Sequence, residues 1–301
     1  MIEIKNLTRY YGSKKALNNV SFEIEKGDTV GILGPNGSGK TTLINIILGM
    51  LKPDEGSVFY DSVNLTADTS RILSNVGAVV EIPRLYPQLS GTDNLLVFAN
   101  FLNIPNRKEK ITELLSLVGL SDAGSVPFKN YSLGMKQRLG IALSLLNDPE
   151  ILVFDEPTNG LDPEGIMKVR EIIQKLSATG KTVILCSHLI SEVELVCKKI
   201  VILRNGDLRK LISSKELEGR ENLFYISISD ENFTRLEDYC ENEPSIEIIE
   251  SSRNNSSIKV KWNQESDASV LLKKMVDANL PVNGFYKEQI PLEDLFLEAV
   301  K

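Results

Sequence analysis

Thr29-Val30-Gly31-Ile32-Leu33-Gly34-Pro35-Asn36-Gly37-Ser38-Gly39-Lys40-Thr41-Thr42 decides how this chain folds, because an apolar run leads directly into the spacing GxxxxGK[ST]. Glycines in such a loop permit backbone angles that a Cβ would penalise, so successive N–H groups can turn inward around phosphate oxygens. Lys40 adds a positive charge and Thr41 a hydroxyl suited to Mg²⁺. A helix predicted from about Lys40 to Met50 aims its positive end at the same anion. The expected ligand is a nucleoside triphosphate. The expected strand, Thr29 to Leu33, is apolar throughout, as in the buried centre of a parallel sheet.

The pattern continues outward on both sides. Val20, Phe22 and Ile24 alternate with Ser21, Glu23 and Glu25, which reads as a half-exposed strand ending in a hairpin at Lys26-Gly27. Ser57 to Tyr60 and Val76 to Val80 read as further strands, and helical periodicity runs from Asn94 through Leu146, a helical insertion spanning about 86–146. Ile151-Leu152-Val153-Phe154 is a second short buried strand. The helix after it is marked by Asp162 as cap, Pro163 in the first turn and a stripe of Ile166, Val169, Ile172, Ile173 and Leu176, closed by Gly180. Thr182 to Cys186 and Ile200 to Leu203 are strands, the latter turning at Asn205-Gly206. Strands alternating with helices give an α/β core. Beyond about Leu217 the strands become alternating and the loops fill with Asn, Ser and Glu. The order there reads βαββαβ, a small α+β and possibly ferredoxin-like domain over 218–301, with a last helix from Pro291 to Val300 carrying Leu292, Leu295, Phe296 and Val300 on one face.

Composition bounds what such a chain can do. Its 301 residues, 42% of them apolar, suffice for two unequal domains. A net charge of −7 and a pI near 5.1 speak against nucleic acid as a partner, which requires a concentrated basic face. Cys186, Cys197 and Cys240 are too few and too scattered for a zinc site or disulfide framework, consistent with a reducing cytosol. No stretch approaches a signal peptide or a membrane span.

A phosphate loop alone leaves many activities open, so the remaining motifs discriminate. Asp155-Glu156-Pro157 puts two carboxylates at the end of a buried strand, where Asp155 can hold Mg²⁺ and Glu156 can face an attacking water as general base. Tyr131-Ser132-Leu133-Gly134-Met135-Lys136-Gln137-Arg138 precedes that strand by about twenty residues. Gly160-Leu161-Asp162 follows it, and His188, the one histidine of the chain, comes just after the next strand. In this order the motifs resemble those of ABC-transporter ATPases over residues 1 to about 210: phosphate loop, signature motif with Ser132 and Gly134 kept, D-loop at Asp162 and switch histidine at His188.

The resemblance implies a P-loop NTPase core with an antiparallel β subdomain and a helical insertion, an ABC ATPase domain over 1–217. It implies ATP and Mg²⁺ as ligands. Tyr11 would stack on adenine, and Gly34, Pro35, Asn36, Gly37, Ser38, Gly39, Lys40, Thr41 and Thr42 would wrap the phosphates. Ser132, Gly134 and Asp162 would act on nucleotide held by a second copy in a head-to-tail dimer. Glu156, His188 and Lys40 would carry hydrolysis, and Thr41, Asp155 and Glu81 would face the metal. Two positions depart from the family pattern: Glu81 stands where glutamine is usual, and Leu133 replaces a signature glycine. Those variants, with the terminal Pro291-Leu292-Glu293-Asp294-Leu295-Phe296-Leu297, resemble the branch that exports antibiotics, bacteriocins or similar peptides. An integral membrane permease would then be the partner and the inner face of the cell membrane the location. The alternatives are a soluble remodelling ATPase and a sensory ATPase whose C-terminal domain binds a ligand. The absence of a second ATPase unit and of long coiled coils disfavours the remodelling reading.

Overall fold

The computed structural model describes residues 1–213, 223–263, 268–287 and 292–300. They fall into two units, Met1–Ile212 with Phe296–Lys301, and Ser213–Leu295. The domain boundary expected at Leu217, the helix start expected near Asp267 and Pro291 lie outside the described residues.

In the first unit, strands that are polar on one side separate from strands that are apolar on both. β1 (Ile2–Tyr11), β2 (Lys14–Ile24), β4 (Glu55–Tyr60) and β5 (Val63–Asn64) form an antiparallel sheet in the order β2-β1-β4-β5. Its inner face buries Ile4, Val20, Phe22, Ile24 and Val58. The second sheet comprises β3 (Thr29–Leu33), β6 (Val76–Val80), β7 (Ile151–Asp155), β8 (Thr182–Ser187), β9 (Lys199–Arg204) and β10 (Asp207–Ile212). Their order is β10-β9-β3-β8-β7-β6, parallel except for β10. Every residue of β3 and β8 is buried, which accounts for their unbroken apolar runs. Helix α1 (Lys40–Ile47) contributes Leu43, Ile44 and Ile47 to the core that joins the two sheets.

The Lys26-Gly27 turn corrects one reading of the sequence. It is a tight turn, with the Asp28 amide donating to the Glu25 carbonyl at 3.2 Å, but no hairpin follows. β2 pairs with β1, whereas β3 lies between β8 and β9, so the turn carries the chain from one sheet to the other. An amphipathic strand has one face to bury and belongs at the outer sheet, while a fully apolar one needs cover on both faces. The Asn205-Gly206 turn does close a hairpin, β9 to β10, with both residues at positive φ.

Helix α2 (Thr69–Leu73) precedes β6, and between β6 and β7 the insertion expected over about 86–146 carries helices α3 (Gly91–Phe101), α4 (Arg107–Leu117) and α5 (Leu133–Ser144). Two buried polar side chains set its geometry. Asn94 donates to the carbonyls of Tyr86, Leu89 and Ser90 and accepts from the Tyr86 amide, fixing the segment ahead of α3. The Arg138 guanidinium donates to the carbonyls of Val118 and Gly119 at 2.8 and 2.7 Å, pinning the end of α4 to α5. Helix α6 (Pro163–Ala178) starts at Asp162, whose carboxylate accepts from the Gly165 amide at 3.0 Å. Val169, Ile172, Ile173 and Leu176 form its buried stripe, and helix α7 (Ile190–Val196) packs beside it.

The second unit has the order strand Leu223–Ile228, helix Phe233–Asn242, strands Ile246–Ser252 and Ser257–Trp262, helix Ala268–Asp277 and strand Val282–Lys287. Its antiparallel sheet places Leu223–Ile228 between Ser257–Trp262 and Val282–Lys287, with Ile246–Ser252 outermost beside Ser257–Trp262. Phe224, Ile226, Ile258, Val260 and Trp262 face Phe233, Leu236 and Leu271 in a separate core. A final helix spans Leu292–Val300, with Leu292 and Leu295 buried.

Gly31 shows how closely α7 rests on β3, since a Cβ added there would sit 2.1 Å from Val193 Cγ1 and 3.2 Å from Cys197 Sγ. Gly31→Ala must therefore displace α7. Its expected cost is about 1–3 kcal/mol of overpacking, read as a lower urea midpoint at unchanged slope.

Candidate functional site

Three parallel strands deliver their following loops to one edge. β3 ends at Leu33 beside Ser187 of β8, and Asp155 of β7 stands beside Cys186. The loop after β3 turns into α1 through Gly39 at φ 109°, where a Cβ would lie 2.6 Å from the Ala16 carbonyl oxygen. Lys40 is nearly buried, and its Nζ donates to the Gly34 carbonyl at 2.7 Å and the Pro35 carbonyl at 3.4 Å. The loop thus holds the ammonium against its own backbone, 3.5 Å from Glu156 Oε1.

Glu156 follows β7 at φ 49°, a left-handed conformation that costs a side-chain-bearing residue energy. Its amide donates to the Cys186 carbonyl at 3.0 Å, which fastens it to the end of β8. Its Oε2 lies 2.7 Å from His188 Nδ1, so carboxylate and imidazole share a proton-bearing hydrogen bond. Asp155 is 4% exposed, and its Oδ1 has no hydrogen-bond partner among the described residues. Burial pushes its carboxyl above the usual range; the Thr41 hydroxyl and Lys40 oppose this, while the charges of Glu156 and Glu81 add to it. Ser38 Oγ is likewise buried and unpartnered among the described residues.

Tyr11, Asn36, Gly37, Gly39, Lys40, Thr41, Thr42, Glu156 and His188 line a cleft of about 380 Å³, joined by Lys14, Ala16 and Asn159, which sequence reasoning did not single out. Tyr11 is half exposed at its rim, with the Arg9 guanidinium 5.3 Å from its ring centroid. Glu81 is exposed at φ 62° after β6, close enough for its charge to reach Asp155. Ser132, Gly134 and Asp162 are not part of this cleft lining. Ser132 caps α5, accepting from the Met135 amide at 3.2 Å, and Gly134 lies against Leu161 and Gly165 at the start of α6. Leu133 opens α5 in ordinary helical conformation, with no need of the positive φ that its side chain would resist.

A larger cleft, about 630 Å³, lies among Met1, Lys26, Asp61, Arg71, Glu150 and Lys181. Several of its charges already answer one another: the Met1 ammonium and Lys26 both pair with Asp61, and Lys181 pairs with Asp148. The smaller cleft has much of the glycine loop, the buried cation and the Glu156–His188 pair of an anion site, while Gly34, Pro35, Ser38 and Asp155 do not line it and the orphaned oxygens of Ser38 and Asp155 are buried. Among the described residues no group of three or more His, Cys, Asp or Glu side chains could hold a metal alone. Mg²⁺ does not require one, because it keeps waters and phosphate oxygens beside one or two protein ligands.

The site also contains a triad that the motifs did not reveal. Glu192 of α7, 4% exposed, accepts from Ser187 Oγ at 2.7 Å and from Thr158 Oγ1. Only its position, four residues after His188, marks it in the sequence; its burial beside Val193 is visible in the structure alone.

Residues 17–159 match the ABC transporter family. The chain is 34% identical to the ABC transporter ATP-binding protein YcbN of Bacillus subtilis over 301 residues, covering 100% of this chain and 97% of that protein. It is 42% identical over 223 residues to the lantibiotic transport ATP-binding protein SrtF of Streptococcus pyogenes, covering 74% and 94%. Among solved structures it is similar to the ATP-binding cassette MJ0796 in a dimeric post-hydrolysis state bound to ADP and Pi, with a TM-score of 0.65, 30% identity, and 71% and 99% of the two chains covered.

Asp155 gives a prediction with a definite sign. A carboxyl raised in the fold contributes stability below its unfolded pKa and loses it as pH rises through the folded value, so at neutral pH the buried anion opposes folding. Asp155→Asn without nucleotide should raise the Tm at pH 7 by on the order of 2–4 °C, a gain that shrinks as pH falls toward the carboxylate range. Scanning fluorimetry across pH checks it.

Proposed function

The chain belongs to the ABC transporter family, as an ATPase that uses ATP and Mg²⁺, and we propose that it powers a separate membrane permease exporting a peptide, antibiotic or lipid-like compound. The observation that carries the reading is the cleft in which a buried lysine, the Glu156 carboxylate at a strand end and a histidine hydrogen-bonded to it meet a glycine loop. Likeness to a lantibiotic transport protein over 94% of that protein's length supports the cargo class.

Each side chain then has a task. Tyr11 offers its exposed ring to the base, and the amides from Gly34 to Thr42 surround the phosphates. Lys40 exchanges the Gly34 carbonyl for a phosphate oxygen. Thr41 and Asp155, with Glu81 facing them, would hold Mg²⁺, which supplies charge neutralisation on the phosphate oxygens when bound. Glu156 orients and deprotonates the attacking water, while His188 holds the Glu156 carboxylate and reaches the terminal phosphate. Positioning and electrostatics supply most of the acceleration.

Ser132, Gly134 and Asp162 do not line the cleft of their own chain, and in this reading they serve nucleotide bound to another copy. A head-to-tail pair enclosing two ATP molecules satisfies both halves, and the dimeric state of MJ0796 is consistent with it. No helix among the described residues is long and apolar enough to cross a membrane, so the work passes to another polypeptide. The proposed docking edge is the segment after Glu81, where Ile82 and Tyr86 are more than half exposed and Asn94 braces the backbone. The chain would thus lie in the cytoplasm, peripheral on the inner membrane face.

Glu156→Gln should bind ATP, turn over at least about 100-fold more slowly and accumulate as a dimer with Mg²⁺ and ATP, measured by light scattering; a monomer at saturating ATP would sink the sandwich. Tyr86→Asp should abolish co-fractionation with membranes while leaving nucleotide affinity within about twofold, since a rim charge opposes apolar docking without touching the cleft. Unchanged co-fractionation would remove the segment from the interface.

A further inference from the structure

We infer that Glu192 is a positioning residue for hydrolysis, its carboxylate setting the gap across which Glu156 and His188 meet. The inference rests on the roles proposed above for those two side chains. Thr158 lies two residues after Glu156, and Ser187 lies one residue before His188. Both hydroxyls donate to the same carboxylate, Thr158 to Oε1 and Ser187 to Oε2 at 2.7 Å. Ser187 Oγ also accepts from the Leu189 amide at 3.0 Å, so the turn that presents His188 is tied to the same group.

The chemistry of this contact is costly for a merely structural link. Glu192 is 4% exposed, Ser187 0% and Thr158 6%, and the partners described for the Glu192 carboxylate are these two hydroxyls. Burying an anion without a counter-ion is unfavourable, and charge-assisted hydrogen bonds from two hydroxyls offset only part of it. An apolar residue would dock α7 more cheaply. What the carboxylate adds is geometry: two acceptor oxygens at fixed separation, gripping the loops after β7 and β8 simultaneously. α7 cannot relax away, because Val193 rests on Gly31 of β3 without room for a methyl group.

Three links therefore span the mouth between β7 and β8. The Glu156 amide meets the Cys186 carbonyl, the Glu156 carboxylate meets His188, and Glu192 joins Thr158 to Ser187. The first two involve the residue that must reorient as water and phosphate arrive. The third involves neither reacting side chain and keeps the loops in place while the second breaks and reforms. It also helps hold Glu156 at its left-handed φ of 49°.

The test compares ATPase kinetics, equilibrium binding of a fluorescent ATP analogue and thermal unfolding for the full chain and its Glu192→Ala, Glu192→Gln, Thr158→Val and Ser187→Ala variants. Glu192→Ala should lower kcat by about 10–100-fold while nucleotide affinity and KM stay within about twofold, because a misplacement of about 1 Å costs the chemical step and not ground-state binding. Glu192→Gln, which keeps the shape and one acceptor, should restore at least a third of the lost kcat on a logarithmic scale. Thr158→Val and Ser187→Ala should each lower kcat, and either one combined with Glu192→Ala should add little, as expected of groups acting as a unit. A kcat within twofold of wild type in Glu192→Ala overturns the inference, as does a loss of kcat that tracks lost nucleotide binding and lost Tm. Should Glu192→Ala not fold, the two hydroxyl variants decide on the same criteria. Glu156→Gln and His188→Ala are the separate control: full activity in both removes the proposed roles of that pair, whatever Glu192 does.

Discussion

The structure depends on the register of three parallel strands. Leu33 stands beside Ser187, and Asp155 beside Cys186, so the loops after β3, β7 and β8 leave the sheet at one level. A slip of one residue in β8 would move His188 by about 3.3 Å along the sheet. That exceeds the 2.7 Å separating its ring nitrogen from Glu156, so the contact cannot survive a wrong register. Because β3 and β8 are buried on both faces, hydrophobicity alone does not specify that register. Close packing does: Gly31 admits α7 at a distance that any side chain would forbid, and the Glu156 amide caps the Cys186 carbonyl at the next rung.

The same edge concentrates charge. One nearly buried cation, Lys40, faces Glu156 at 3.5 Å and influences Asp155, whose carboxyl is held above its usual range chiefly by burial. Two carboxylates against one ammonium would repel a triphosphate if nothing else entered with it. A divalent cation would reverse that balance, giving Asp155 the counter-charge its orphaned oxygen lacks and leaving Lys40 free to turn from the loop carbonyls to phosphate. The arrangement would thus favour metal and nucleotide together over either alone.

Local chemistry was legible in the sequence wherever neighbours in the chain determine the structure. The glycine loop, the Asp162-Pro163 start of α6, the Asn205-Gly206 hairpin and the fully apolar β3 all follow from conformational preferences or burial that a single segment reveals. Lys26-Gly27 misled for the complementary reason: a tight turn has the same chemistry whether its two strands pair or part, and only the competition of β8 and β9 for β3 decides. The gathering of Tyr11, the phosphate loop, Glu156 and His188 was reached through resemblance, since residues so far apart in the chain carry no local sign of meeting. Glu192 escaped altogether. Its partners are on two other loops, and a glutamate on a short helix ordinarily reads as solvated surface.

Ser132 and Asp162 lie beyond the cleft, at the starts of α5 and α6. Gly134, the second residue of α5, lies against Leu161 and Gly165, and a Cβ on Gly160 would sit 3.2 Å from Leu133. The starts of α5 and α6 are therefore in van der Waals contact. The Leu161 amide in turn donates to the Thr158 carbonyl at 3.1 Å, and Thr158 holds Glu192. In a head-to-tail pair, the start of α5 would face the partner's nucleotide while resting on the turn that follows Glu156 in its own chain. Closing one half-site would then bear on the turn between β7 and α6 of the same chain, which also carries Glu156.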